Sequence, residues 1–302
     1  MIMRGNAAMK KTLSLLLALL CLACLLAGCA EGGRPAGNQT TAPPPPDTTT
    51  EPPTEEVPTP GSLGLLTSGV LKVAMEIGYP PFEYYGDDGS TPMGLDVELA
   101  YAIGEILGVE VVLENTLFEG ILEGLGVDRY DCVISAVTIT GARMQQVDFS
   151  QSYIENWLAI VVKKGAHPVT SVEGLNGLNV GFQEGTTSRE YMDELMGAGI
   201  VDCDIHPFDM MFNAFSDLKL GRLDAIMVDS TVAEGYLARE PDAYEITWIQ
   251  SSDPGAEAET FGIAVKKGNQ SLLDAVNNAM RQLEANGRLD EMRGEWLNEG
   301  LG

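Results

Sequence analysis

The sequence predicts an α/β protein with two lobes, each built on a mostly parallel β-sheet that is flanked by helices. From residue 71 onward, short apolar runs alternate with longer helical patterns, which is typical of parallel sheets covered on both faces. The alternation restarts after residues 163–165, which indicates a second lobe. The chain has 302 residues, 45% of them hydrophobic, so it is long enough to form two cores.

Residues 1–28 are predicted to be a secretion signal. Lys10 and Lys11 precede an apolar run at residues 13–26, which is shorter than the roughly 20 residues of a membrane span. The end of this run and the three residues after it, Leu26-Ala27-Gly28-Cys29, resemble the bacterial lipobox, in which the cysteine is lipidated and becomes the mature N-terminus. We therefore expect lipid anchoring at the extracytoplasmic face of a bacterial membrane; the alternative is an ordinary signal peptide that leaves Cys29 free.

Residues 29–62 are predicted to be a disordered tether. Pro, Thr, Gly and Glu dominate this stretch, and large apolar residues are nearly absent. Such a segment cannot bury enough apolar surface to offset its conformational entropy. It would hold the folded part of the chain away from the membrane.

The charge and the reactive side chains exclude several functions. A formal net charge of −26 argues against partners such as nucleic acid or anionic lipid surfaces. His167 and His206 are isolated, and Cys132 and Cys203 lie far apart in the sequence without metal-ligand spacing. We therefore expect no cofactor, no metal site and no disulfide between these cysteines.

Apolar periodicity predicts the elements of the first lobe. Strands are expected at residues 71–75, 109–113 and 132–135, and a helix at residues 118–125. Two turns, at residues 79–82 and 87–89, precede a helix up to residue 107 that Asp96 would cap.

The second half of the chain repeats the alternation. Strands are predicted at residues 157–162, 179–182, 225–228 and 261–265. Helices are predicted at residues 189–196, 208–220, 231–239, 272–285 and 289–297.

Candidate binding groups follow the predicted strands. Hydroxyl residues and the lone Arg143 come after the strand at residues 132–135, and an arginine with hydroxyl and N–H donors is suited to bind a carboxylate. Gly185-Thr186-Thr187 precedes a helix, where it forms an anion site or a simple cap through Thr187 or Ser188. Asp229 ends another strand and would bind an ammonium or cap the next helix. Ligands of such folds bind at the carboxyl ends of strands, where these groups meet.

From residue 71 to the C-terminus, the chain resembles bacterial extracytoplasmic solute-binding proteins of family 3, which serve polar amino-acid ABC transporters. The matching motifs are Tyr79-Pro80-Pro81-Phe82, Gly94-Leu95-Asp96-Val97, residues 134–140 with Arg143, Val147-Asp148-Phe149-Ser150, residues 181–187, Gly221-Arg222-Leu223-Asp224-Ala225, Val228-Asp229, and Gly287-Arg288-Leu289 with Trp296.

The resemblance implies a type 2 periplasmic-binding-protein fold. The first lobe would comprise residues 63–156 plus 260–302, and the second lobe residues 157–259. Two crossings, near residues 154–158 and 250–262, would join the lobes. Ligand would lie between the lobes and be enclosed as they close.

The resemblance also implies roles for particular residues. Arg143 would bind the α-carboxylate, with Thr138 and Thr187. Asp229 and the carbonyl of Ala136, with the hydroxyl of Ser135, would receive the α-ammonium. The full set of expected ligand-binding residues is Glu76, Tyr79, Phe118, Ser135, Ala136, Thr138, Arg143, Glu184, Gly185, Thr187 and Asp229. The family often has Trp at Phe118 and a hydroxyl residue or Gly at Ala136, so the side-chain preference stays open.

Glu76 favours a polar, cationic ligand. A carboxylate at the far end of the cleft would pair with a guanidinium or ammonium, while Tyr79 and Phe118 stack on the ligand. This favours arginine or lysine, followed by cystine and glutamine; alternatively, Glu76 hydrogen-bonds backbone or a neutral ligand. The expected partners are this free amino acid and an ABC transporter permease, and the expected state is a monomer.

Two other classes of function remain open alongside this non-enzymatic receptor. A dehydratase acting on a small carboxylate would need a general acid in the cleft, for which Glu76 or Glu184 are candidates. A sensor subunit of a signalling system would have to act through a separate partner.

Overall fold

The computed structural model describes residues 63–298. The predicted signal peptide, Cys29 and the tether lie outside the described residues. Between residues 63 and 298, no helix combines the length and the apolarity that are needed to span a membrane.

The first sheet has five strands in the order β4-β1-β5-β12-β6. Strand β1 runs parallel to β4 and β5, whereas β12 runs antiparallel to both β5 and β6, so four of the five strands share one direction. The strands are β1 (Val70–Met75), β4 (Glu110–Asn115), β5 (Cys132–Val133), β6 (Val147–Asn156) and β12 (Glu259–Lys266), and the two-residue strands β2 (Tyr84–Tyr85) and β3 (Pro92–Met93) form a separate hairpin.

The second sheet has the order β11-β7-β10-β8-β9. Here β7 alone runs against the other four strands. Its strands are β7 (Leu158–Lys163), β8 (Asn179–Gln183), β9 (Asp204–Phe208), β10 (Ala225–Asp229) and β11 (Tyr244–Ile249). The predicted α/β fold with two mostly parallel sheets is therefore confirmed.

Eight helices flank the two sheets within the described range. They are α1 (Leu95–Leu107), α2 (Ile121–Gly126), α3 (Arg143–Gln146), α4 (Thr187–Gly197), α5 (Met211–Lys219), α6 (Ser230–Arg239), α7 (Gln270–Ala285) and α8 (Arg288–Asn298). In α1, Leu99 and Ile103 repeat at helical spacing and are fully buried, so this face packs into the core of the first lobe. Gly108 ends α1 in the left-handed conformation.

The two crossings between the sheets lie side by side. Strand β6 ends at Asn156 and β7 begins at Leu158, so the first crossing is very short. The second crossing runs from Ile249 to Glu259, and Glu259 is opposite Asn156 in the β6–β12 ladder. Both crossings therefore leave the first sheet at the same end of the β6–β12 ladder.

Some predicted boundaries and roles were wrong. The helix predicted at residues 208–220 begins only at Met211, because residues 204–208 form the edge strand β9. Asp96 does not cap α1: Gly94 occupies the N-cap position without a side-chain hydrogen bond, and Asp96 is buried inside the first turn. Cys132 and Cys203 are both buried, and neither forms a disulfide within residues 63–298.

Candidate functional site

A cavity lies between the two sheets. Most of its walls come from turns that follow strands of the first sheet, and the remainder comes from the ends of β8 and β10 and the start of α4. The lining residues are Glu76, Tyr79, Glu83, Phe118, Ser135, Ala136, Thr138, Arg143, Gln183, Thr186, Thr187 and Asp229.

Arg143 carries the cationic group of the cavity. It begins the short helix α3 and is only 6% exposed. Its Nη1 donates to the carbonyl of Thr138 at 2.9 Å, and its Nη2 donates to the carbonyl of Gly185 at 2.9 Å. The guanidinium carbon lies 5.5 Å from the centroid of the Phe118 ring. Backbone from both lobes and one aromatic face thus fix the guanidinium, which keeps further N–H donors for an anion.

Asp229 carries a buried carboxylate at the end of β10. Its Oδ2 accepts from the Tyr79 hydroxyl at 2.6 Å, and its Oδ1 accepts from Asn156 Nδ2 at 2.6 Å. Burial, reinforced by the nearby Glu259 carboxylate, raises the pKa of Asp229 to about 7. Helix capping is excluded for Asp229, because its side chain makes no capping hydrogen bond to α6.

Glu76 lies directly after β1 and is 2% exposed. Its Oε2 accepts from the backbone N–H of Phe118 at 2.8 Å and from Gln183 Nε2 at 2.6 Å. Its Oε1 has no hydrogen-bond partner among residues 63–298. Burial raises the pKa of Glu76 to about 7. One oxygen of a fixed carboxyl group is thus left to meet a ligand.

Two further buried carboxyl groups lie at the cavity floor: that of Glu83 lines the cavity, and that of Asp96 lies behind it. Ser135 Oγ donates to Glu83 Oε1 at 2.6 Å and accepts from the Glu76 N–H at 3.1 Å. Asp96 Oδ2 accepts from the Ala136 N–H at 2.7 Å and from the Tyr153 hydroxyl at 2.9 Å. Burial raises the pKa of Glu83 well above its usual range and that of Asp96 to about 6.

These hydrogen bonds shape the chain around Ala136. Ala136 has a φ of 45°, a left-handed conformation that residues with a Cβ rarely adopt. The chain therefore leaves the strand early, and β5 ends at Val133 rather than at the predicted Ser135. Asp96 pairs with the Ala136 N–H, so this acid stabilises the turn that forms the cavity floor.

The turn before α4 forms the opposite wall. Thr186 occupies the N-cap position, and neither it nor another side chain caps the helix. Thr187 Oγ1 donates instead to Glu259 Oε2 at 3.1 Å, and Thr186 Oγ1 donates to the carbonyl of Gln183 at 2.7 Å. The alternative in which Thr187 or Ser188 is a simple cap is therefore wrong.

The structure brings together most of the predicted site residues. Nine of the eleven line the cavity. Gly185 contributes its carbonyl to Arg143 without lining the cavity, and Glu184 points elsewhere, with its carboxylate 3.6 Å from Arg189.

Three lining residues were not predicted. Gln183 is the last residue of β8, so the expectation that strand ends line the site could have found it. Thr186 was named only as part of the turn. Glu83 lies in an irregular segment where no periodicity applies, and only its buried partners reveal its place.

Known proteins resemble almost the whole described part of the chain. The sequence model of the family described as "Bacterial extracellular solute-binding proteins, family 3" matches residues 71–299. The L-cystine-binding protein TcyJ of Escherichia coli K12 is 34% identical over 230 residues, which cover 76% of this chain and 83% of that protein. ABC transporter arginine-binding protein 1 of Escherichia coli K12 is 32% identical over 225 residues, which cover 72% and 87% of the two chains.

A solved structure shows the same likeness in three dimensions. An ancestral arginine-binding protein bound to arginine is 37% identical and superimposes with a TM-score of 0.70. The match covers 76% of this chain and 98% of the ancestral protein.

Proposed function

Because the chain belongs to the bacterial extracellular solute-binding proteins of family 3, we propose that it is the receptor of an ABC import system for a polar amino acid. The amino acid would bind between the lobes, be enclosed as they close, and then pass to a membrane permease. One observation carries the proposal: a buried guanidinium and a buried carboxylate, those of Arg143 and Asp229, line the same cavity. This pair is complementary to the two charges of an amino acid.

The remaining residues complete the proposed grip. Thr138 and Thr187 would donate to the α-carboxylate beside Arg143, and the carbonyl of Ala136 would accept from the α-ammonium beside Asp229. Tyr79, Phe118, Ser135, Glu76, Gly185 and Glu184 complete the proposed binding set, with Glu184 at its margin because it does not line the cavity.

We assign a cationic side chain to the ligand, with arginine or lysine ahead of cystine and glutamine. The free Oε1 of Glu76 and the ring of Phe118 support a guanidinium or ammonium at this end of the cavity. A ligand cation there would also lower the raised pKa of Glu76 and keep it ionised. The relatives leave the choice open, because one is a cystine-binding protein and the other an arginine-binding protein.

Titration calorimetry with arginine, lysine, histidine, glutamine and cystine tests the proposal, after a thermal-shift screen of all common amino acids. A ligand at 100 times its Kd adds about 2.7 kcal/mol to the free energy of unfolding, which such a screen detects. We expect arginine or lysine to bind most tightly. Tighter binding of leucine or glutamate than of any of the five titrated amino acids would contradict the assignment.

A dehydratase-like activity is the second candidate. A carboxyl group with a pKa of about 7, as Glu76 has, is suited to general acid catalysis at neutral pH. Incubating each small ligand with the protein and recording its NMR spectrum separates the two functions. A receptor returns the ligand unchanged, whereas a dehydratase yields a new product.

The cellular arrangement is also a proposal. Lipid on Cys29 would anchor the protein at the extracytoplasmic face of the membrane, and residues 29–62 would serve as the tether. The lobes would comprise residues 63–156 with 260–302, and 157–259; the strand membership of the two sheets supports this division. We propose that the receptor acts as a monomer.

A further inference from the structure

Helix α6 of the second lobe packs against the first lobe outside the cavity. At Gly235, inside the helix, an added Cβ would lie 2.8 Å from the carbonyl oxygen of Pro80 and 2.9 Å from Cδ of Pro81. A real Cβ does not approach backbone atoms this closely. Glycine inside a helix costs about 0.5–1 kcal/mol relative to alanine. The helix accepts this cost at a position where its backbone meets the other lobe.

A second contact lies one helical turn further along. Arg239 follows Gly235 by four residues and therefore shares its face of α6. Its guanidinium carbon lies 3.9 Å above the centroid of the Tyr84 ring, in the first lobe. Tyr84 in turn packs edge-on against Trp296 of α8, with 6.2 Å between the ring centroids. Arg239 thus reaches across to an aromatic pair of the other lobe.

These contacts line a surface groove that is distinct from the ligand cavity. Gly235, Arg239, Pro80, Pro81 and Tyr84 line the groove, and none of them lines the cavity. The α6 contacts join the two lobes without touching a ligand, so they exist only when the lobes are together.

We propose that the α6 contact, made by Gly235 and Arg239 with residues 80–84, is a closure contact that sets amino-acid affinity from outside the binding cavity. The inference rests on the proposed function, in which ligand is enclosed between closing lobes. A contact present only in the closed form shifts the balance between open and closed forms, and the apparent Kd follows the closed fraction. Changes here must therefore scale the Kd of every ligand by the same factor.

Gly235→Ala is the direct test. The added methyl group has to push the lobes apart, so affinity should fall by about 5- to 150-fold, the equivalent of about 1–3 kcal/mol of overpacking. Alanine favours the helix, so Gly235→Ala should still fold, which circular dichroism checks. Gly197→Ala is the matched control: this glycine ends α4 in the same lobe, and nothing lies within 4 Å of the place that its Cβ would occupy.

Arg239→Gln tests the second contact. Loss of an exposed cation–π contact should weaken binding by about 2- to 5-fold, and Arg239→Lys should restore part of it. Arg222→Gln serves as the control, because Arg222 is exposed and pairs with Asp217 within the second lobe.

The outcomes separate this inference from the proposed function. We expect equal factors for arginine and for any weaker ligand, together with a larger radius of gyration for Gly235→Ala at subsaturating ligand. Wild-type affinity in Gly235→Ala, or a loss confined to one ligand, overturns the closure contact while the receptor function stands. If the wild-type chain binds no amino acid, the receptor function fails; the closure contact is then decided by X-ray scattering of the ligand-free proteins, where identical curves for wild type and Gly235→Ala overturn it.

Discussion

The Tyr79 hydroxyl donates a 2.6 Å hydrogen bond to Asp229, although 150 residues separate the two in the sequence. Tyr79 belongs to the first lobe, whereas Asp229 ends a strand of the second sheet. Gln183 reaches Glu76 across the same gap at 2.6 Å. The proposed ligand groups of the two lobes therefore hold each other in place, and each lobe helps to orient the other's carboxylate.

Arg143→Ala should abolish useful amino-acid binding and leave the fold intact. Removing one member of a buried charge pair costs about 2–5 kcal/mol, or roughly 30- to 4,000-fold in Kd. Arg143→Lys should restore little, because an ammonium cannot replace the two-pronged guanidinium. Calorimetry gives the Kd and circular dichroism checks the fold; wild-type affinity in Arg143→Ala would remove Arg143 from the site.

The stability of the ligand-free protein should fall as pH rises from about 4 to 7. Burial raises the pKa of Asp229 and that of Glu76 to about 7, so the folded state binds more protons than the unfolded state in this window. The free energy of unfolding is measured by urea denaturation at several pH values for wild type and Asp229→Asn. The variant should show the shallower decline, and parallel curves would contradict the raised pKa.

Ligand binding should show the opposite pH dependence. An ammonium favours the ionised form of Asp229, whose other close neighbours are Tyr79, Asn156, Glu259 and the cationic Arg143. Binding should therefore release protons near neutral pH, and affinity should weaken below about pH 7. Calorimetry in two buffers with different ionisation enthalpies measures this release, and identical heats in both buffers would speak against it.

Glu76→Gln should reduce the preference for arginine over glutamine. A hydrogen bond to a charged group contributes about 1.5–3 kcal/mol, so the ratio of the two Kd values should change by about 10- to 150-fold. Glu123→Gln, an exposed acid on α2, is the matched control. An unchanged ratio would show that Glu76 does not contact the ligand side chain.

Asp96→Ala should destabilise the fold beneath the cavity. It deprives the Ala136 N–H and the Tyr153 hydroxyl of their acceptor, at about 1–3 kcal/mol for each buried donor left unpaired. Asp96→Asn keeps one acceptor oxygen and should lose less. Denaturant unfolding measures wild type and both variants, and wild-type stability of Asp96→Ala would mean that these hydrogen bonds contribute little.

Cys29→Ser should leave the protein uncleaved or released from the membrane. Only a cysteine at this position can carry the lipid and become the mature N-terminus, whereas Cys21→Ser, inside the apolar run, should be processed normally. Mass spectrometry of the membrane fraction measures the modification. An unmodified Cys29 in that fraction would rule out the anchor.

The site could be predicted where a simple topological rule applies. Four of the site residues follow predicted strands: Arg143, Thr138, Thr187 and Asp229. The carboxyl ends of parallel strands lie at the same edge of a sheet, which is where ligands bind. The same rule reaches Gln183, which ends β8. For these residues, the position after a strand, which the sequence pattern predicts, is also what places them at the cavity.

The buried acids could not be predicted in the same way. Glu83 and Ser135 are 52 residues apart, and Asp96 and Ala136 are 40 residues apart, so only the folded chain shows that they pair. Asp96 near a helix start looks like a cap, because a local hydrogen bond is the only one that the sequence reveals. Strand β6 was also missed, because exposed and half-buried residues interrupt its buried ones and no apolar run marks it.

Because of the order of the strands along the chain, the two sheets acquire their last strand at different times during synthesis. The second sheet uses one uninterrupted stretch, from β7 to β11, whereas β12 of the first sheet comes only afterwards. Because β12 lies between β5 and β6, the growing chain carries an incomplete first sheet with unpaired strand edges while the second sheet can already close. The first sheet, whose strands are synthesised first, is thus completed last. A chain that ends before Glu259 would leave β5 and β6 with unpaired edges, which favour aggregation.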